Sequence, residues 1–339
     1  MTEQRWKNRP EGSNWGDFGP DDQIGRMNLL TPEARLRGAR EIREGRSFCL
    51  SLPLDYPGGN VLFPLRKEPV FHHEKRGDGH NFNFDLSGVS PCYCDVISDD
   101  AVTLYTQYST QWDALAHVGM RFDADGDGVA EKVYYNGYRG GSDIVGPDEG
   151  DDHGAAALGI ENLAACGVQG RGVMVDLERA YGRDRKLIDY DALMKAMDGM
   201  GVEVESGDFL CLNTGFADLV LSMNKQPDGE VLANACAVLD GRDERLLNWV
   251  TDSGIVAICA DNFAVEAYPS RVPDEERFPA LPLHNHCLFK LGIHLGELWH
   301  FGELAAWLSE NQRSAFFLTA PPLRLPGSVG SPVTPIAMV

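Results

Sequence analysis

The stretch Gln107-Tyr-Ser-Thr-Gln-Trp-Asp-Ala-Leu-Ala-His117 carries polar side chains at a regular spacing. If it is extended, Gln107, Gln111 and Asp113 lie on one face, because successive strand residues point to opposite sides. If a helix begins at Asp113, His117 lies one turn further on. Two amides, a carboxylate and an imidazole can then converge on one point. Spacing alone leaves the alternative that the glutamines are exposed strand residues and His117 is a hydrogen-bonded core histidine.

Strand-like and helix-like segments alternate around this stretch, which predicts an α/β fold. Thr31-Pro32-Glu33 provides an N-cap, a first-turn proline and an early acidic residue, so a helix is expected to run to about Glu44 and to stop at Gly45. The organisation expected is an N-terminal arm with this first helix over 1–45, followed by one catalytic domain over 46–339. The apolar strand-like runs are 48–54, 172–177, 208–214, 255–265 and 315–323, and the helix-like runs are 160–166, 190–200, 244–251 and 301–311.

Composition excludes several classes of partner. Thirty Lys and Arg against 51 Asp and Glu give a formal net charge of -21. Such a charge repels nucleic acid and anionic membrane surfaces at long range. No apolar run has the length of a membrane span, and the first residues do not resemble a secretion signal, so a cytoplasmic protein is expected. A small-molecule substrate is the expected partner.

Two separated blocks of the chain resemble the cyclase family, the metal-dependent hydrolases that include kynurenine formamidase. The family pattern His-x-Gly-Thr-His-x-Asp-x-Pro-x-His matches residues 107–117, with Gln107 and Gln111 in place of two histidines, Ser109 in place of Gly and Leu115 in place of Pro. A downstream family block of His, an apolar stretch, Gly and Glu resembles residues 284–297. The opening Asn14-Trp-Gly, Tyr135-Asn-Gly137 and Gly330-Ser-Pro332 are also similar, so the resemblance covers nearly the whole chain. It is strongest to the longer branch with trans-dienelactone hydrolase, which likewise carries Gln at the His positions.

The resemblance implies a swivelling β/β/α-type fold, a homo-oligomer and a metal site. The implied metal ligands are Gln107, Gln111, Asp113, His284 and Glu297, with His286 as an alternative to His284. His117 is implied as the general acid and base. Amide oxygen is a weaker zinc ligand than imidazole, so Mn²⁺ competes with Zn²⁺ as the expected ion.

Three further residues are candidates for substrate binding. Trp112 can form an apolar wall beside the ligands, although alternation along a strand equally allows it to pack into the core on the other face. His73 lies in a charged, glycine-containing segment that either borders a pocket or is a solvated loop. Asp261 is assigned through the family resemblance.

Metal-dependent hydrolysis of a lactone, cyclic amide or aryl formamide is the leading hypothesis for function. Metal-activated water would attack the carbonyl group, and His117 would transfer the proton. A polyketide-type cyclase or dehydratase is the second hypothesis. The third is a non-catalytic binding protein, if the two glutamines mark the loss of the metal site.

Overall fold

A nine-stranded mixed sheet forms the centre of the protein, in a computed structural model that describes residues 4–339. Its strand order is β1-β21-β19-β13-β15-β17-β18-β8-β20, where the strands of the chain are β1 (Ser47–Cys49), β2 (Val70–His72), β3 (Lys75–Arg76), β4 (Gly79–His80), β5 (Phe84–Asp85), β6 (Val96–Ile97), β7 (Ala101–Thr103), β8 (Gln111–Asp113), β9 (Met120–Phe122), β10 (Glu131–Val133), β11 (Ile144–Val145), β12 (Gly154–Ala155), β13 (Gln169–Asp176), β14 (Lys186–Ile188), β15 (Phe209–Asn213), β16 (Ala237–Leu239), β17 (Ala257–Ala260), β18 (His294–Glu297), β19 (Ala315–Thr319), β20 (Gly330–Pro332) and β21 (Ile336–Met338). The pairs from β13 to β18 are parallel, and the outer pairs are antiparallel.

Helices follow the central strands, so the predicted α/β class is confirmed. They are α1 (Pro32–Ala39), α2 (Ile160–Ala165), α3 (Leu177–Tyr181), α4 (Tyr190–Met200), α5 (Phe216–Ser222), α6 (Gly229–Ala233), α7 (Glu244–Ser253), α8 (Pro282–His284) and α9 (Gly302–Glu310), and a π-helix, Asn285–Leu291, continues α8. Side-chain caps fix several starts: the Ala34 amide donates to Thr31, the Ala192 amide to Asp189 and the Arg245 amide to Asp243. None of the helices in the described chain is both long and apolar enough to cross a membrane.

The sheet has an apolar layer on each face. Leu210 and Leu212 of β15 face one buried cluster, whereas Phe209 and Cys211 face the other. Strands covered on both sides read as continuous apolar runs, which is why these segments stood out in the sequence.

The predicted helix α4 is confirmed at both ends, but several other boundaries differ. Helix α1 ends at Ala39 and not near Glu44, because the chain turns there and the Glu44 and Gly45 amides donate to the Val339 carbonyl. The run predicted as a strand over 48–54 is a strand only to Cys49. The run over 255–265 is paired only over β17.

The segment 4–44 packs closely onto the rest of the protein. Trp15 is buried, and its indole N–H donates to the Phe289 carbonyl at 2.7 Å. The guanidinium of Arg26 donates to the Val250 carbonyl at 2.8 Å. The segment 59–106 differs, since none of its residues is buried and it forms three small two-stranded sheets.

Candidate metal centre

Strand pairing brings Asp113 and Glu297 to the same place. Strand β8 lies between β18 and β20, with Gln111 opposite Glu297 and Asp113 opposite Gly330. Residues 111 and 113 share one face of β8, and Glu297 lies beside them on the neighbouring strand. Two carboxylates from distant parts of the chain therefore meet on one side of the sheet.

His284 completes a buried cluster with these two carboxylates. Ligand atoms of Asp113, His284 and Glu297 all lie within 4.8 Å of one another. The His284 Nε2 atom is 3.2 Å from a Glu297 oxygen and 3.8 Å from Asp113 Oδ2. All three residues are buried. This is the geometry of a group that can hold a metal ion.

Glu266 orients the His284 ring from behind. Its carboxylate lies 2.8 Å from His284 Nδ1 and accepts the backbone N–H groups of Leu283 and His284 at 2.9 Å each. A carboxylate on the far nitrogen fixes the ring and makes the near nitrogen a stronger ligand. Burial lowers the pKa of His284, but hydrogen bonds to Glu266 and Glu297 outweigh it and raise the pKa to about 10. Glu266 was not among the candidate residues from the sequence. The only sequence feature that points to it is its position as an acidic residue directly after the apolar run 255–265.

His284 and His286, the two alternatives from the sequence, lie in different environments. His284 ends α8, and the π-helix begins with the next residue. The His286 ring nitrogen contacts the Thr251 hydroxyl at 2.9 Å, and burial lowers its pKa to about 4. His286 is therefore directed at helix α7, away from the carboxylate pair.

The His117 side chain lies close to the cluster, although no helix begins at Asp113. Strand β8 ends at Asp113, and a turn follows in which the His117 amide donates to the Ala114 carbonyl at 2.9 Å. The His117 Nε2 atom still lies 3.8 Å from Asp113 Oδ1. Its side chain is 21% exposed, whereas that of Asp113 is fully buried. An imidazole at the solvent side of a buried carboxylate can exchange protons with water.

The two glutamines differ in their relation to the carboxylates. The Gln111 Nε2 atom lies 3.4 Å from Asp113 Oδ1 and 3.3 Å from Glu297 Oε2, so its amide nitrogen bridges the two acids. Gln107 precedes the strand, and its Oε1 accepts the Thr106 hydroxyl at 2.8 Å. The shared face that the spacing allowed for an extended stretch applies only to Gln111 and Asp113, because the paired strand begins at Gln111.

Unsatisfied atoms in the cluster fit a cation. Among the buried polar atoms of residues 4–339, the oxygens Asp113 Oδ2 and Gln111 Oε1 have no hydrogen-bond partner and can bind a cation, whereas the unpartnered Gln107 Nε2 is a donor and cannot. Burial raises the pKa of Asp113. Burial also opposes ionisation of Glu297, but the hydrogen bond and charge of His284, together with the charge of Arg66, outweigh burial and hold the pKa of Glu297 below its usual value. Without metal, the His284 imidazole supplies positive charge beside the two carboxylates, and a divalent ion held by all three residues would replace its proton.

Arg66 adds a positive charge at the Gln107 side of the centre. Its guanidinium donates to the Gln107 carbonyl at 2.8 Å and lies 5.0 Å from the Phe63 ring centroid and 5.9 Å from that of Phe263. Its charge helps to lower the pKa of both Asp113 and Glu297. No sequence signal pointed to this residue, which lies in the exposed segment 59–106.

The three residues assigned to substrate binding lie in different environments. Trp112 is fully buried, its N–H donates to the Ala320 carbonyl at 2.8 Å, and its ring packs on Trp299. The prediction that it lines the site is wrong, and the core-packing alternative is correct, because it points to the opposite face of β8. Asp261 is buried and accepts the Thr214 amide and hydroxyl, and burial raises its pKa to about 7. His73 is exposed and stacks on Phe82 at 4.6 Å.

Comparison with known proteins gives the family. The Cyclase family model matches residues 50–267. A solved crystal structure of a novel cyclase is 32% identical, with a TM-score of 0.75 over 96% of this chain and 97% of that one. A search of curated proteins finds no match.

Two more distant structures share the fold. Isatin hydrolase A from Labrenzia aggregata has a TM-score of 0.55 at 13% identity, over 87% of this chain and 93% of that one. Isatin hydrolase A from Ralstonia solanacearum has a TM-score of 0.52 at 13% identity, over 86% and 91%. The family model covers more than half of the sequence, and the novel cyclase aligns with this chain over almost the full length of both. The chain therefore belongs to the cyclase family.

Proposed function

We propose that this protein is a metal-dependent hydrolase that cleaves the acyl C–N or C–O bond of a lactone, cyclic amide or aryl formamide. The observation that carries the proposal is the buried cluster of Asp113, His284 and Glu297 with the unpaired Asp113 oxygen, next to the partly exposed His117. The cluster offers two carboxylates and one imidazole, a set that suits Zn²⁺ or Mn²⁺. Membership of the cyclase family supports the same class of chemistry.

The residues divide the chemical work between them. Asp113, His284 and Glu297 would hold the ion, and Glu266 would keep the His284 ring in place. A bound divalent ion supplies a more acidic water and a polarised carbonyl group. His117 would accept the proton of the attacking water and return it to the leaving nitrogen or oxygen, a role that suits the near-neutral reference pKa of imidazole.

Metal analysis and a substrate screen test the proposal together. We expect one Zn²⁺ or Mn²⁺ per subunit, and hydrolysis of some members of a panel of lactones, cyclic amides and aryl formamides that chelator abolishes and added metal restores. Absence of any transition metal after titration would support the non-catalytic binding protein. Bound metal with turnover of an enolisable polyketide-like substrate, and none of the panel, would instead support the cyclase or dehydratase.

Glu266→Gln is predicted to weaken metal binding by about 10- to 100-fold, the usual effect of losing a carboxylate behind a ligand histidine. A competition titration against a chelator measures this change. Asp208→Asn is a matched control, because Asp208 is also buried and accepts a backbone N–H, from Glu205, outside the cluster. If both variants lose thermal stability and neither changes metal affinity, Glu266 has only a structural role.

Arg66→Met is predicted to tighten metal binding by about threefold to tenfold, because it removes a positive charge that competes for the same two carboxylates. Lys67→Met removes the same charge from the exposed neighbouring position and should have a smaller effect. The same chelator competition measures both variants. Weaker binding in Arg66→Met would contradict the electrostatic argument and would show that Arg66 supports the site.

A further inference from the structure

A cavity of about 690 Å³ is formed in part by the residues that directly follow His117 and His284 in the chain. Its walls are the chain that follows His117 and the loop that leads into α8. Val118 and Asn285, the immediate neighbours of His117 and His284, line it, although the two histidines do not. The cavity wall is therefore continuous with the backbone that carries both histidines.

Most of the cavity wall is apolar. Val118, Met120, Phe278 and Leu281 contribute side chains to it. Small-molecule sites typically have volumes of about 300 to 1,000 Å³ and mainly apolar walls with a few polar groups. The volume and lining suit an organic molecule with at least one ring.

Two arginines at this wall have no acidic partner. Arg121 and Arg277 both line the cavity, and neither forms an ion pair with any residue in the described part of the chain. By contrast, Arg271 in the same loop pairs with Asp240 at 3.1 Å. Both arginines are exposed, and the Arg121 guanidinium also donates to the Ala130 carbonyl at 2.7 Å, so an anionic group at this wall can reach both positive charges.

The loop that carries Arg277 is held in position from outside the cavity. Arg242 donates to the Arg271 carbonyl at 3.1 Å and to the Pro279 carbonyl at 2.5 Å. Its guanidinium also lies 5.0 Å from the centroid of the Phe278 ring. These contacts fix the backbone on both sides of Arg277, so its charge is kept close to the cavity.

We propose that this cavity is the substrate site and that its substrate is an apolar or aromatic molecule bearing a carboxylate, which Arg121 and Arg277 bind while the scissile group extends toward His117. The inference rests on the proposed hydrolase function and adds the substrate class. Guanidinium groups bind carboxylates through paired N–H donors, and the apolar wall supplies burial for the ring. Neutral analogues of the same shape lose the charge-assisted hydrogen bonds.

A matched pair of probes tests the assignment without hydrolysis. Calorimetric titration with 2-naphthoate and with 2-naphthamide compares an anion with a neutral molecule of the same ring system. We expect the naphthoate to bind about 10- to 100-fold more tightly, the range for hydrogen bonds to charged groups. The preference should disappear in Arg121→Gln/Arg277→Gln and be reduced in Arg277→Gln alone. It should persist in Arg271→Gln, which, like Arg277→Gln, removes one positive charge from this loop.

Two additional measurements separate the cavity from the metal centre. Titration of both metal-loaded and chelator-dialysed protein excludes binding of the carboxylate to the ion, because binding by the arginines survives removal of metal. Ala280→Trp, which fills the cavity, should weaken the binding of both probes.

Three results would each overturn the assignment: no preference for naphthoate in the wild type, a preference that the double variant retains, or a preference that vanishes when the metal is removed. Selective binding of naphthoate without hydrolysis of any panel substrate would support the carboxylate site and contradict the proposed hydrolase function. Hydrolysis without selective binding would support the hydrolase function and contradict the carboxylate site.

Discussion

Asp113→Asn is expected to lower the affinity for Zn²⁺ or Mn²⁺ by about 10² to 10⁴-fold. Asp113 is fully buried, and its Oδ2 atom has no hydrogen-bond partner within the described chain. The His284 imidazole, 3.8 Å from this oxygen, would itself be a ligand of the ion, so the bound cation becomes the main charge that balances the carboxylate. Loss of one charge from a buried pair costs about 3 to 5 kcal/mol, which corresponds to this range. Metal titration with elemental analysis of the purified variant measures the loss.

Thermal stability supplies an independent measurement for this variant. Because burial raises the pKa of Asp113, the metal-free protein is destabilised by the carboxylate, and Asp113→Asn should melt at or above the metal-free wild type. The increase in melting temperature that metal gives the wild type should be absent. A variant that melts well below the wild type without metal, yet binds metal normally, would show that Asp113 is structural.

Variants of the two glutamines are controls for Asp113→Asn, because each is expected to lower metal affinity by a smaller amount. Gln111→Ala should reduce metal affinity less than Asp113→Asn, because an amide contributes no charge and the Gln111 nitrogen, not its oxygen, faces the carboxylates. Gln107→Ala should have a still smaller effect, since the Gln107 oxygen is already bonded to Thr106. Equal losses in all three variants would make both glutamines full ligands.

His117→Asn is expected to retain the metal but to lower kcat by about 10² to 10⁴-fold, the usual contribution of general acid and base catalysis. The His117 ring lies 3.8 Å from Asp113 and is partly exposed, so its removal leaves the buried cluster intact. Metal content, melting temperature and kcat are measured on one preparation.

Each competing role for His117 gives a different combination of results. If His117 is a ligand, metal content falls with activity, and added metal restores part of the rate. If it is only a packed histidine, the melting temperature falls while the remaining folded protein turns over normally. Full metal, a near-native melting temperature and a large loss of kcat together support the proton-transfer role.

The sequence by itself determined those features that depend on neighbouring residues. Tyr190–Met200 was predicted with both ends correct, because Asp189 caps its first turn and Gly201 ends it in a left-handed conformation. The α/β alternation was likewise readable, since buried strands and capped helices leave local patterns. The family resemblance then placed Asp113, His117, His284 and Glu297 on one list of candidates.

Only the tertiary structure decided how those candidates meet. The antiparallel register of β8 with β18 sets Gln111 opposite Glu297, and no local pattern encodes a pairing between strands so far apart. The same register directs Trp112 into the core. The fold places His284, at the end of α8, in the carboxylate cluster, whereas His286 in the π-helix contacts Thr251, and it brings Glu266 behind the His284 ring. The unpaired arginines beside the cavity were also invisible in the sequence, because the lack of a partner depends on every other charge in the folded chain.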